Sequence, residues 1–231
     1  VLDLTPQELT AIGLSLKVAS WATLVALPLA VLVALLLSRC RFPGRLLLGA
    51  LVLLPLVLPP VVTGYALLLL FGRQGPLGSW LADNLGLIFA FRWTGAALAA
   101  GVMGFPLMVR AIQLSAEAMD RGLEEAAGTL GANRLFAFLT VTLPLIAPGI
   151  IAGAILCFAR AMGEFGATIT FVSNIPGETQ TLPTLIYTLT QVPGGDAAAL
   201  RLTLISAAIS ITALLLSEVV ARAVGRRVKA P

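Results

Sequence analysis

Long apolar runs alternate with short polar ones along this chain, and the length of each run sets the reading. Residues of about 12–38 carry one charge, Lys17, near one end, where its stem can lie along an apolar surface while the ammonium reaches outward. Further apolar runs cover about 46–71, 88–112, 145–170 and 202–221. A helix of about 20 apolar residues crosses the hydrocarbon core of a bilayer, so the pattern predicts five helical spans. The N-terminal region carries Asp3 and Glu8 in place of a basic segment, and the first run is longer than the core of a signal peptide, so it reads as a retained span.

Between the runs lie a basic loop (Arg39, Arg41, Pro43, Gly44, Arg45), a polar loop from Gly72 to about Gly86, a charged stretch at 113–144, a Gly-, Pro- and Thr-rich segment reaching about 199, and a basic tail. Proline punctuates the second run at Leu54-Pro55-Leu56-Val57-Leu58-Pro59-Pro60, predicting a kinked helix that faces protein, and interrupts the third at Phe105-Pro106. There is no internal repeat and no low-complexity linker.

Charge then orients the spans. With five crossings, Arg39, Arg41 and Arg45, then Arg110, Arg121 and Arg134, then Arg222, Arg226, Arg227 and Lys229 share one side, while the other holds Lys17, Arg73, Arg92 and Arg201, with Arg160 buried. The excess places the 39–45 loop, the 113–144 loop and the C-terminus in the cytoplasm and the N-terminus outside. The same distribution explains the net charge of +4 without nucleic acid, because the basic residues report orientation.

Composition excludes several chemistries. The chain is 58% hydrophobic and 11% charged, too apolar for a wholly water-facing surface. It has no histidine, which removes Ser-His-Asp and Cys-His catalysis and most zinc hydrolysis, and no metal site or catalytic residue is expected. The two cysteines, Cys40 and Cys157, lie in different runs and are not expected to pair. A P-loop needs Gly-Lys before Ser or Thr, yet the only lysines, Lys17 and Lys229, follow Leu16 and Val228. No cofactor is expected on this chain, and any ATP must be bound by another polypeptide.

The 113–144 stretch reads as two short helices. Asp120 is placed to N-cap the first, Glu124 and Glu125 suit its positive end, and Gly131 stops it. Asn133 to Thr140 continues as the second, and Leu143-Pro144 enters the fourth span. Ala126 and Ala127 leave a smooth face open to another protein's backbone. On these residues alone, a helix lying on the membrane and a docking element are both open.

The spacing Glu125-Ala126-Ala127, Gly131, Val141, Leu143-Pro144 resembles the EAA signature of importer-type ABC permeases, with Val141 where isoleucine is common. The resemblance implies an all-α, roughly five-span bundle of the MetI-like permease fold, acting as a single transmembrane domain over 1–231. It also implies that the hairpin docks on a separate ATP-binding subunit, with Glu124, Glu125, Ala126, Ala127, Leu130 and Gly131 at the contact.

Two charges sit inside the fourth run, Arg160 and Glu164, four apart and so on one helical face where they can pair. A lone charge near the bilayer centre costs about 2.5–3.5 kcal/mol on insertion scales, so lipid exposure is disfavoured. A bracing ion pair and a pore-lining pair both satisfy this. Thr168, Thr170, Ser173 and Asn174 follow, as satisfied loop residues or as groups replacing an oxyanion's hydration. The run Gly163 to Thr179, with Leu58-Pro59-Pro60-Val61-Val62, Gly64-Tyr65 and Phe105-Pro106-Leu107-Met108-Val109-Arg110-Ala111, is similar to molybdate permease subunits over essentially the whole chain. Sulfate and thiosulfate permeases share the Arg-x-x-Gly-Glu-Phe-Gly-Ala stretch but not the Ser-Asn-Ile-Pro-Gly-Glu run. The resemblance implies ATP-driven oxyanion import, molybdate or tungstate before sulfate, across a bacterial or archaeal inner membrane. The implied partners are a second copy, two ATPase subunits, an external binding protein and membrane lipid. An intramembrane enzyme and a stand-alone channel are the competing readings.

Overall fold

The computed structural model describes residues 4–120 and 122–229, without the side chains of Ser217 and of 220–229. Arg121 therefore lies outside the described residues, as do the side chains of Arg222, Arg226, Arg227 and Lys229. Among the described residues every regular element is a helix, with no strand. Four helices are long and apolar enough to cross a membrane, and a fifth crossing is available if one sharply bent pair counts as a single span.

Helix α1 (Pro6–Arg39) starts before the predicted residue 12 because Thr5 and Glu8 form a capping box. Glu8 N–H donates to Thr5 Oγ1 at 3.3 Å and Thr5 N–H to Glu8 Oε2 at 2.7 Å, so two otherwise orphaned donors are satisfied. Glu8 Oε1 also receives Arg201 Nη2 at 2.5 Å, tying the start of α1 to the last helix.

The expected kinked second span is two separate helices, α2 (Arg45–Val57) and α3 (Pro60–Phe71), at 115° to each other. Each is about 20 Å long at 1.5 Å per residue, too short to cross alone. The cause is the tandem proline. A residue before proline is pushed out of the helical region, and here both Leu58 (ψ 143°) and Pro59 (ψ 136°) precede one and are extended. Single prolines do not have this effect: Pro28, Pro106 and Pro148 lie inside continuous helices. The third span, α5 (Trp93–Glu117), thus runs unbroken through Pro106, contrary to the interruption expected there, and takes in the first residues assigned to the 113–144 loop. The loop expected at 72–86 holds α4 (Pro76–Leu85), opened by Pro76 and closed by Gly86 at φ +64°.

Next come α6 (Gly122–Thr129), α7 (Arg134–Ala137) and a π-helical turn (Phe138–Thr142) that runs into α8 (Leu143–Met162). The second short helix expected to Thr140 is therefore only four residues long before the backbone widens. The fourth span ends at Met162 instead of 170, and the polar segment beyond holds α9 (Gly166–Val172) and α10 (Leu182–Thr190). The last helix, α11 (Asp196–Lys229), is longer than the predicted 202–221.

Helices α1, α5 and α8 form the centre, with α11 against α8 and α3 against α9. The α5–α8 seam is built from small residues, as helix contacts in lipid usually are. A Cβ on Gly104 would stand 2.5 Å from Cys157 Sγ, and one on Gly153 2.9 Å from the carbonyl oxygen of Met108. Backbone cannot move aside as a side chain can. Gly153→Val is expected to destabilise the bundle by about 1–3 kcal/mol, read as an earlier thermal unfolding transition in detergent. An unchanged transition would show that the seam is loose.

Candidate coupling surface and translocation path

The hairpin between α5 and α8 is built much as its residues suggest. Asp120 Oδ1 accepts the Gly122 N–H at 2.9 Å at the opening of α6. Gly131, at φ +87°, closes the helix, with Ala132 N–H returning to Ala127 O at 3.0 Å. This is the left-handed terminus that glycine serves best. Asn133 then caps α7 by accepting the Phe136 N–H at 2.8 Å.

The hairpin has an inner and an outer side. Glu124 faces inward: its carboxylate pairs with Arg39 Nη1 at 2.6 Å and accepts the hydroxyl of Thr142, which is fully buried. Glu124 thus anchors α6 to the end of α1 and to the π turn, so that displacement of the hairpin reaches both helices. Outward stand Glu125 and Ala126, both exposed, and Leu130, 87% exposed, with Leu135, Phe136 and Leu139 beside them; Ala127 is half-buried. A Cβ on Gly131 would meet open space. An exposed apolar patch rimmed by charge is suited to contact with another protein or with the membrane surface.

The second constellation lies at the far end of α8. Arg160 and Glu164 do pair, Nη1 to Oε2 at 2.6 Å, but not as neighbours on one helix. Gly163 ends α8, Glu164 stands in the break, and α9 begins at Gly166. The approach is close for an ion pair yet off the hydrogen-bonding direction, so Oε2 is held by charge. Oε1 accepts the Ala167 N–H at 2.8 Å and so caps α9. The two side chains differ in exposure, 28% for Arg160 against 1% for Glu164. Arg160 is half-buried, not buried as expected, and keeps part of its guanidinium open, whereas Glu164 is wholly enclosed.

The four polar residues beyond do not converge. Thr168 is buried, and the Thr170 hydroxyl is taken by its own helix, donating to Gly166 O at 2.7 Å. Ser173 ends α9 at φ +66° with an exposed side chain. Asn174 Nδ2 reaches α10 at Thr188 Oγ1, 2.8 Å away. Sequence reading missed the polar turn behind them. Thr179, fully buried, accepts the Ile175 N–H at 2.9 Å, Gln180 accepts from Gln7 at 2.8 Å, and Ser15 accepts the Leu182 N–H at 2.7 Å. The dense threonines were its only signal. Across the break, α9 meets α3 closely: a Cβ on Gly64 would lie 2.5 Å from Ala167 O.

The chain belongs to the family of inner membrane components of binding-protein-dependent transport systems, whose model matches residues 22–229. It is thus a multi-pass inner-membrane transporter component and not itself a catalyst. Within that family it is similar to the molybdenum transport system permease protein ModB of Escherichia coli K12, 58% identical over 219 residues that cover 95% of this chain and 96% of that one. It is also similar to the sulfate transport system permease protein CysT of the same organism, 39% identical over 182 residues, 79% of this chain and 65% of CysT. The crystal structure of a bacterial alginate ABC transporter in complex with its oligosaccharide-bound periplasmic protein contains a chain of the same fold. That match has a TM-score of 0.75 at 18% identity and covers 97% of this chain and 81% of that one.

Proposed function

We propose that the chain is the permease subunit of an ATP-driven molybdate importer. The observation that carries the substrate class is the likeness to the molybdenum permease, both higher and longer than that to the sulfate permease. In this reading residues 1–231 act as one transmembrane domain, two copies surround the path, and each hairpin rests on one of two ATPase subunits that bind the ATP. An external binding protein delivers the anion. Glu125, Ala126, Ala127, Leu130 and Gly131 form the contact, while Glu124 carries the push through Arg39 and Thr142 into the bundle. Glu164 braces the break beside the path and Arg160 offers its half-open guanidinium to a passing oxyanion; Thr168, Thr170, Ser173 and Asn174 shape the wall and reach the anion little, because Thr168 is buried and Thr170 and Asn174 bond to the protein's own backbone and side chains.

The test is the ATPase activity of the complex, purified with its co-expressed partners, in the presence of loaded binding protein. Molybdate and tungstate are expected to stimulate hydrolysis. Stimulation by sulfate alone would reassign the substrate.

The N-terminus is proposed to lie outside and the C-terminus in the cytoplasm. Two ion pairs group the ends of the bundle: Arg39 with Glu124 gathers the basic loop and the hairpin at one end, and Glu8 with Arg201 gathers α1 and α11 at the other; the excess of Lys and Arg at the first end is what supports placing it in the cytoplasm. Cys40 is exposed at the first end, and Cys157 is buried. A membrane-impermeant maleimide is therefore expected to label Cys40 in inside-out vesicles and not in intact cells, with Cys157 protected in both. Labelling of Cys40 from outside would invert the topology.

A further inference from the structure

A groove of about 660 Å³ runs between α1, α2 and α5, away from the hairpin and from the charged break. Along α1 it extends from Trp21 to Val33 and along α5 from Trp93 to Phe105, closed on the third side by α2 near Leu48 to Pro55. Twelve steps of 1.5 Å rise make it about 18 Å long, close to the depth of one leaflet, half of a core about 30 Å thick. Its lining is almost wholly apolar, and the side chains on its α1 wall stand open, with Trp21 51%, Val25 68% and Leu29 55% exposed.

One end is different. Lys17, exposed and one helical turn before Trp21, holds its ammonium 3.8 Å from the centre of the Trp93 ring, and the Trp21 and Trp93 rings lie 6.2 Å apart. Arg92, also exposed, caps the start of α5 next to Trp93. Tryptophan with lysine or arginine is the arrangement found at the level of lipid headgroups. Two cations at the mouth of a one-leaflet apolar groove complement a particular molecule, with a negative head and a long apolar tail.

We infer that this groove binds one acyl chain of an anionic phospholipid from the leaflet at the N-terminal end of α1, its phosphate held by Lys17 with Arg92. The binding locates α1 and α5 against α2, the half-helix that the Pro59-Pro60 break leaves with a single buried residue, Val52. It does not depend on which anion is transported.

The test uses the full complex in nanodiscs with Trp80→Phe, so that Trp21 and Trp93 report. Their fluorescence is measured as brominated phosphatidylglycerol or brominated phosphatidylcholine replaces the host lipid. A basic residue near an anionic surface contributes about 1 kcal/mol, so phosphatidylglycerol is expected to be preferred at least about fivefold. Lys17→Gln should remove most of that preference while quenching persists, and Ala26→Phe, which fills the groove, should reduce quenching by both lipids. Equal quenching by the two lipids in the parent would overturn the site in favour of ordinary boundary lipid. Fluorescence untouched by either would overturn it too, assigning the groove to the second copy of the chain.

Discussion

Gly131→Trp is expected to abolish ATP-driven uptake while leaving the protein inserted and folded. The glycine sits at φ +87°, a conformation that costs an L-residue about 1–2 kcal/mol, and a Cβ there meets nothing within 4 Å. The bundle can bear that cost, since the hairpin is held from its inner side by Glu124 with Arg39 and Thr142. The indole instead projects from the outer side, next to Ala126 and Leu130, into the space the ATPase subunit is proposed to fill. Disrupting the centre of such a contact typically costs 2 kcal/mol or more, so the ATPase should bind about 30-fold more weakly or worse, and loaded binding protein should no longer stimulate it. Gly131→Asn is the control, because asparagine tolerates the left-handed conformation; it should transport nearly as the parent does. Full uptake by the tryptophan variant would show that the tip of the hairpin carries no force.

The second large effect concerns the break between α8 and α9. Glu164→Ala removes two interactions at once, the cap on Ala167 N–H and the counter-charge of Arg160. Breaking a fully buried pair costs about 3–5 kcal/mol. Arg160 is 28% exposed, so solvent relieves part of that, and about 2–3 kcal/mol is the expected loss. Glu164→Gln keeps an oxygen for the cap and should fall between Glu164→Ala and the parent. The double change Arg160→Gln with Glu164→Gln leaves no unpaired charge and should recover much of the thermal stability. Transport is then the informative readout. A stable double variant that fails to import would show that Arg160 serves the anion as well as the fold; restored import would make the pair a brace alone.

Much of this was legible in the residues. Run length yields the membrane class, and the spacing of Asp120, Glu124, Gly131 and Asn133 yields the hairpin, because caps are local chemistry between groups a few positions apart. The division of the hairpin into faces was not legible: Glu124 and Glu125 are adjacent and alike in sequence. Only the arrival of Arg39 and Thr142, 85 and 18 positions away, turns the first inward. The broken second span shows the same limit. Four prolines lie in helix interiors, at 28, 55, 106 and 148, and leave those helices continuous; only at Leu58-Pro59-Pro60 are two successive residues forced out of the helix. That distinction was available from the tandem alone. The end of α8 at Gly163 was weaker as a signal, although Glu164 stands three residues before the N–H it caps, the spacing expected of a cap. Helix α4 also carried readable marks, proline at its start and Gly86 at its end, hidden by the polar composition around them.

We propose that the hairpin between α5 and α8 is a lever gripped by a separate ATP-binding subunit. Ala126 is exposed at its middle, so an Ala126→Cys variant with Cys40→Ser places one accessible thiol there, Cys157 being buried. Reaction with a water-soluble maleimide is timed on the isolated chain and on the complex assembled with its ATPase. Fast labelling of the chain alone and strong protection in the complex are expected. Equal rates in both, or a thiol that reacts in neither because lipid covers it, would contradict the lever.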